Sequence, residues 1–168
     1  QLTKIHCIAI MDFDTGQTWA YGPDKIDQAL THLMQASEVI AHNGITFDIP
    51  AIQKLYPDFN LDGIIVTDTL VLSRLMKGDL KNDDFEQNWT GETFPKRLHG
   101  SHSLKAWGMR LGVLKGDFSN ADTDWSEWSQ EMQDYCEQDV TVTHALWQHL
   151  QPGSWSQKAI RFEHSIAE

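Results

Sequence analysis

The stretch Val39-Ile-Ala-His-Asn-Gly-Ile-Thr-Phe-Asp48 decides how this chain folds. Val39-Ile40-Ala41 is a strand-like apolar run, and Ser37 to Ala41 reads as a buried strand, too short for a helix. The run stops at His42-Asn43-Gly44, a turn signal, and the spacing predicts a helix from about Asp48 to Leu55. Pro50 falls in its first turn, where a missing N–H costs little, and Tyr56-Pro57 ends it. A strand delivered straight into a helix is the building unit of an α/β domain. Working outward, residues 2–12 read as a strand, 12–18 as a turn and Thr18–Tyr21 as the return strand of a hairpin. Pro23 and Asp24 open a helix carrying Ile26, Leu30, Leu33 and Met34 at helical spacing. Ile64-Ile65-Val66 reads as a third interior strand, followed by a helix from Leu70 to Met76. The polar residues 77–100 read as a long loop. Ser101 or Ser103 caps a helix through Leu104, Trp107 and Leu111 that Gly112 ends, and residues 113–125 read as irregular. A last long helix runs from Ser126 or Ser129 to about Leu150. The expected class is α/β with a mixed sheet, without internal repeats.

Two separated segments carry chemistry. Tyr135-Cys-Glu-Gln-Asp139 lies on the long helix, so its tyrosine and aspartate share one face, a turn apart. Asp48 offers a second carboxylate at the strand-to-helix turn. Hard cations such as Mg²⁺ and Mn²⁺ prefer carboxylate oxygens, and two ions roughly 4 Å apart activate water and stabilise a leaving oxygen. Asp48 and Asp139 are therefore the metal-ligand candidates, with Tyr135 placed to orient the attacking water. Singly, each has a plainer role: Asp48 a helix cap, Asp139 a solvated helix residue, Tyr135 a core residue. Together they point to metal-dependent phosphodiester hydrolysis.

At 168 residues the chain is long enough to bury one full core. A net charge of −11 argues against a protein that coats nucleic acid without specificity. The charge is uneven, however. Residues 96–115 hold Lys96, Arg97, Lys105, Arg110 and Lys115 and no acid, whereas residues 117–139 hold eight acids and no Lys or Arg. A basic segment beside an acidic one suits an enzyme that lays a phosphate chain next to a metal site; two solvated faces of opposite charge are the plainer account. Cys7 and Cys136, far apart in sequence, suggest no disulfide framework and fit a reducing cytosol. No apolar run is long enough to span a bilayer. Trp89 and Trp125 fall in irregular segments where exposure is expected. Both ends look cut: the chain enters a strand almost at once, and after the break at Gln151-Pro152-Gly153 a new helical pattern starts and stops.

Asn43-x4-Asp48 and Tyr135-x3-Asp139 resemble the second and third motifs of the DEDD 3′–5′ exonucleases, tyrosine subtype. Leu2-Thr-Lys-Ile-His-Cys7, Thr67-Asp-Thr-Leu-Val-Leu-Ser-Arg74, Pro95-Lys-Arg97 and Gly100-Ser-His-Ser-Leu-Lys-Ala-Trp-Gly-Met-Arg-Leu-Gly112 are similar to the proofreading domain of family A phage replicative DNA polymerases of the short-tailed coliphage type. Ala159-Ile-Arg-Phe-Glu-His-Ser-Ile-Ala167 looks like the helix that begins the polymerase portion. The resemblance implies an RNase H-like mixed β-sheet flanked by helices, residues 1–150 as the exonuclease domain, and residues 151–168 as linker and first polymerase helix. It also implies removal of mismatched nucleotides from the single-stranded 3′ end of a primer with two Mg²⁺ or Mn²⁺ ions, in the cytoplasm of an infected bacterium. Asp139 would bind one metal directly and Asp48 would hold the second. Tyr135 would position the water, and Asn43 and Phe47 would lie near the terminal nucleotide. Lys96 and Arg97 would contact DNA.

In that family the first motif, Asp-x-Glu, sits on the central strand before the one at residues 2–12, about ten residues ahead of Gln1. The sheet is thus expected to lack its first, central strand, and residues 1–168 alone are expected to order poorly and not to cut. Asp12-Phe-Asp14 mimics the motif but reads better as hairpin-turn chemistry. A module of the same fold that holds a 3′ end without cutting, or that only supports an attached polymerase, is the rival reading. His99 and His102 fit no closed zinc set with the two cysteines and are expected near phosphate or in solvent.

Overall fold

A computed structural model describes residues 2–87, 89–91, 93–113 and 126–167. Residues 114–125, among them Lys115 and Trp125 and most of the stretch expected to be irregular, lie outside the described residues. The first hairpin pairs β1 (Ile8–Met11) with β2 (Thr18–Tyr21) antiparallel, Ile8 opposite Tyr21 and Met11 opposite Thr18. Its turn is closed by Asp12, whose Oδ1 accepts the Thr15 N–H at 2.8 Å and the Thr15 hydroxyl at 2.6 Å. Asp12 is thus committed to turn geometry, as its sequence context predicts. The strand expected over 2–12 is shorter than read. Residues 2–7 have no ladder partner among the described residues.

Helix α1 (Ile26–Leu33) lays Ile26, Ala29 and Leu30 inward. Ile26 and Leu30 form one apolar cluster with Phe59, Ile5, Ile8, Ile49 and Ile52. Strand β3 (Glu38–Ala41) pairs in parallel with β4 (Ile65–Asp68), Glu38 opposite Ile65 and Ala41 opposite Asp68. The crossover between them contains α2 (Ile49–Leu55). Strand β4 runs directly into α3 (Thr69–Met76). The fold is mixed α/β, but where the sequence predicts one mixed sheet the described residues carry two separate two-stranded ladders.

The long loop expected at 77–100 contains α4 (Leu80–Glu86) and a 3₁₀ turn, Lys96–Leu98. Its polar composition hides tertiary anchors: Leu80 and Phe94 are buried, and Asp84 is gripped by Arg110. Helix α5 (Leu104–Arg110) starts on Ser103, whose Oγ accepts the Ala106 N–H. Helix α6 (Gln130–Leu150) starts on Ser129 in the same way. Burial of Leu146 and Leu150 of α6 with Leu72, Leu80 and Trp107 makes the second cluster. Each large side chain so buried contributes about 1.5–3 kcal/mol. Helix α7 (Gln157–Ala167) packs on α3 and adds Ile160 to this cluster. The two cysteines, distant in sequence and both free thiols, come close where α6 packs on β1, and the Cys7 thiol donates to the Met132 carbonyl at 3.9 Å. Trp89, expected exposed, packs its ring on Phe94 at 5.4 Å. Among the described residues no helix is long and apolar enough to cross a membrane.

Candidate active site

The turn after β3 is built by a residue that the sequence reading passed over. Asp68, 2% exposed at the end of β4, turns its carboxylate onto the neighbouring turn. Oδ1 accepts the Asn43 N–H at 2.9 Å and Oδ2 the Ile45 N–H at 3.1 Å, while Oδ1 also accepts the Leu70 N–H at 2.9 Å. Asp68 thereby caps α3 and pins the turn with one side chain. The only sequence signal was an acid between a strand and a helix, which reads as an ordinary cap. Asn43 occupies the left-handed region at φ +66°, which Asn tolerates better than most residues. Gly44 is required by close approach, since a Cβ there would lie 2.6 Å from Ala41 Cβ. The chain then makes one π turn, Gly44–Asp48, before α2 begins. Such wide turns re-aim side chains at functional sites. Here Phe47 is left 64% exposed beside Asp48.

The turn, α3, α6 and the segment 100–104 enclose a cleft of about 690 Å³. Asp48 comes from the turn and Asp139 from α6, so the structure brings the two carboxylates to one cavity. Burial and the Asp68 charge raise Asp48 to about 6. Burial and the Asp48 charge raise Asp139 to about 7. Asp48 is open to cleft water, which screens part of this penalty, while half-buried Asp139 feels it more fully. Tyr135, one turn before Asp139, is pushed above the ordinary phenol range by burial and then by Asp139. It therefore keeps its proton at neutral pH. Two carboxylates that disfavour each other's charge, with no ion-pair partner among the described residues, suit a divalent ion. They make only part of a cage, because among the described residues no group of three or more His, Cys, Asp or Glu side chains gathers.

The acid-free segment 96–115 does not act as one basic surface. Arg110 is buried: Nε and Nη2 donate to Asp84 at 2.8 and 2.7 Å, and Nη1 donates to the Ser101 carbonyl at 2.7 Å. Its guanidinium lies 4.9 Å from the ring centres of both Phe94 and Trp107. Lys96 and Arg97 are exposed on the 3₁₀ turn and are not among the residues that line the cleft. Lys105 is half-buried and engaged with a partner. Arg74, quoted in the sequence only within a longer motif, does line the cleft. His99, expected near phosphate or in solvent, stacks on Phe94 at 5.4 Å instead. His102 faces the cleft with Nδ1 bonded to Ser73 Oγ at 3.0 Å. His42 bonds Thr69 Oγ1 through Nδ1 at 2.9 Å, and burial lowers it to about 4.

No protein-family model matches the sequence. The chain is 34% identical over 172 residues to the DNA-directed DNA polymerase of Escherichia phage T7, an alignment that covers 89% of this chain and 24% of that protein. It is 34% identical over 173 residues to the DNA-directed DNA polymerase of Enterobacteria phage T3, with the same two coverages. The chain thus spans about a quarter of the length of these curated relatives. It is related to one region of phage DNA-directed DNA polymerases.

Proposed function

We propose that this chain is the proofreading 3′–5′ exonuclease region of a phage DNA polymerase, RNase H-like in fold and acting on the single-stranded 3′ end of a primer. The observation that carries the reading is the convergence of Asp48 and Asp139 on one cleft, with the protonated Tyr135 one helical turn before Asp139 and under its charge, in a chain related to phage polymerases. Asp48 and Asp139 would hold Mg²⁺ or Mn²⁺, which when bound supplies charge neutralisation at the phosphate and an activated water. The Tyr135 hydroxyl orients that water by hydrogen bonding. Water oxygen bonds to the terminal phosphorus and the P–O3′ bond breaks. One water proton ends on O3′, releasing a 5′-mononucleotide and a shortened strand with a free 3′-hydroxyl. The exposed ring of Phe47 offers a stacking face to the terminal base. Asn43 lies beside it on the cleft wall.

Two carboxylates are fewer than a pair of ions needs. β1 and β3 each pair on one side only among the described residues. The reading therefore includes an Asp-x-Glu strand that joins these edges in the full natural protein and completes the metal site. A module that holds DNA without cutting is the alternative that the two-carboxylate site favours if no such strand exists. The test is release of labelled mononucleotide from single-stranded DNA by the full protein. Mn²⁺-dependent release from a 3′ label, with Asp139→Ala slower by several orders of magnitude and Tyr135→Phe by about ten- to a hundredfold, is expected. Undiminished release in excess chelator would overturn it.

A further inference from the structure

A single-stranded DNA end brings a negative charge with every phosphate, and the protein it enters has a net charge of −11. The cleft wall already carries Asp48 and Asp139. Among the residues that line this cleft, Arg74 is the one with a permanent positive charge. It stands in the last turn of α3, is exposed, and makes no hydrogen bond or ion pair with any described residue. Arg110, by contrast, has its guanidinium fully occupied by Asp84 and backbone carbonyls. Helix α3 is a firm platform, because Asp68 caps its start and Leu72 and Ser73 are fully buried.

The charge of Arg74 acts on His42 and His102, which flank it in the cleft. Arg74 comes from the end of α3, whereas Asp48 and Asp139, where the scissile phosphate would sit, come from the turn after β3 and from α6. The two imidazoles tie Nδ1 to Thr69 and Ser73 and are held toward the neutral form, so they add no second cation.

We propose that Arg74 is a substrate-binding residue that takes the internucleotide phosphate next to the scissile one, on its 5′ side. The assignment rests on the exonuclease reading of the same cleft. A guanidinium matches phosphate oxygens with two parallel N–H donors, and such charge-assisted bonds are roughly twice as strong as neutral ones. Arg74 thereby fixes the register of the strand, so that only the last linkage reaches the carboxylates.

The experiment compares two substrates in the full natural protein with Mn²⁺. One is a short oligothymidylate. The other is thymidine 5′-(p-nitrophenyl) phosphate, which has one phosphodiester and no neighbouring phosphate. Arg74→Ala should raise KM for the oligomer at least about tenfold more than for the one-linkage substrate. Arg74→Lys should fall between the two, with melting temperatures of all three proteins alike. The same relative loss on both substrates, or none on either, would overturn the assignment while leaving the exonuclease reading intact. If the wild-type protein hydrolyses neither substrate, that reading fails. Metal-free anisotropy titration with the oligomer then decides Arg74 alone: its removal should lower the salt slope of binding by about 0.7, and an unchanged slope and affinity would reject it.

Discussion

The backbone N–H of Asp68 donates to Nε2 of His164 at 2.8 Å across 96 residues of chain. The His164 ring is fixed from its other side, Nδ1 meeting the Ile160 carbonyl at 2.8 Å. Since Asp68 also holds the Asn43–Ile45 turn, helix α7 is tied by two links to the segment that presents Asp48.

Replacing His164 by Ala should leave the Asp68 N–H buried without an acceptor, at a cost of about 1–3 kcal/mol. Urea denaturation of the full protein should record it as a lower midpoint. His164→Gln, which keeps an acceptor oxygen, should recover part of the loss. Equal midpoints for wild type and His164→Ala would mean that this link contributes nothing.

The Asp84–Arg110 pair is buried on both sides, at 3% and 6% side-chain exposure. Asp84→Ala should strand a buried guanidinium and cost about 3–5 kcal/mol. It should also loosen the segment around Gly100, whose N–H donates to Asp84 at 2.7 Å and whose φ of +76° already restricts it. Hydrogen exchange in residues 98–103 that is no faster in the variant would contradict this.

His42 and Asp84 each make the fold less stable in acid, against Asp48 and Asp139, whose raised values make the folded state take up protons first and so favour it as pH falls from about 7. His42 titrates at about 4 when folded against 6.5 as its ordinary value, because burial disfavours its charge. Above 6.5 both states are neutral; between about 6.5 and 4 the unfolded chain binds the proton first, so this contribution to stability falls as pH drops. The full window is worth roughly 3 kcal/mol. Burial raises Asp84, but its bonds to Arg110 and Gly100 outweigh that and hold it below the ordinary carboxylate value of 3.8. Its contribution is present above 3.8 and is lost as pH falls through the lowered value. Denaturation midpoints of wild type and His42→Gln against pH should isolate the histidine: as pH falls from 6.5 to 4 the difference between the two proteins should shift steadily in favour of the variant. Parallel profiles would contradict this role for His42.

Asp139→Asn should raise the melting temperature in chelator, because it removes one of two mutually repelling carboxylates. The same change should abolish the stabilisation that Mn²⁺ gives the wild type. Calorimetry with and without Mn²⁺ checks both. A variant that is destabilised in chelator and still responds to Mn²⁺ would place the metal on other groups.

Much of this arrangement was legible in the residues. Ser101 or Ser103, and Ser126 or Ser129, announced the starts of α5 and α6, because a hydroxyl before an apolar periodic run is a local signal; packing selects Ser103 and Ser129. Asp12 announced its turn for the same reason. What escaped was decided over distance. The polar face of α4 reads as a loop until Arg110 of α5 is known to reach Asp84. Asp68 reads as a simple cap until the parallel register sets it beside Asn43. Arg74 and Arg110 look alike in sequence, and only packing buries one and opens the other to the cleft.

Asp48 and Asp139 are expected to act as one unit in 3′-end hydrolysis, and a double-mutant cycle measures their coupling. Single-turnover release of the 3′-terminal nucleotide by the full protein should fall by about a thousandfold or more in Asp48→Asn and in Asp139→Asn. In the double variant it should fall little further, since residues that work as a unit are strongly non-additive. Losses that multiply in the double variant, or 3′-end release that survives both changes, would contradict the account.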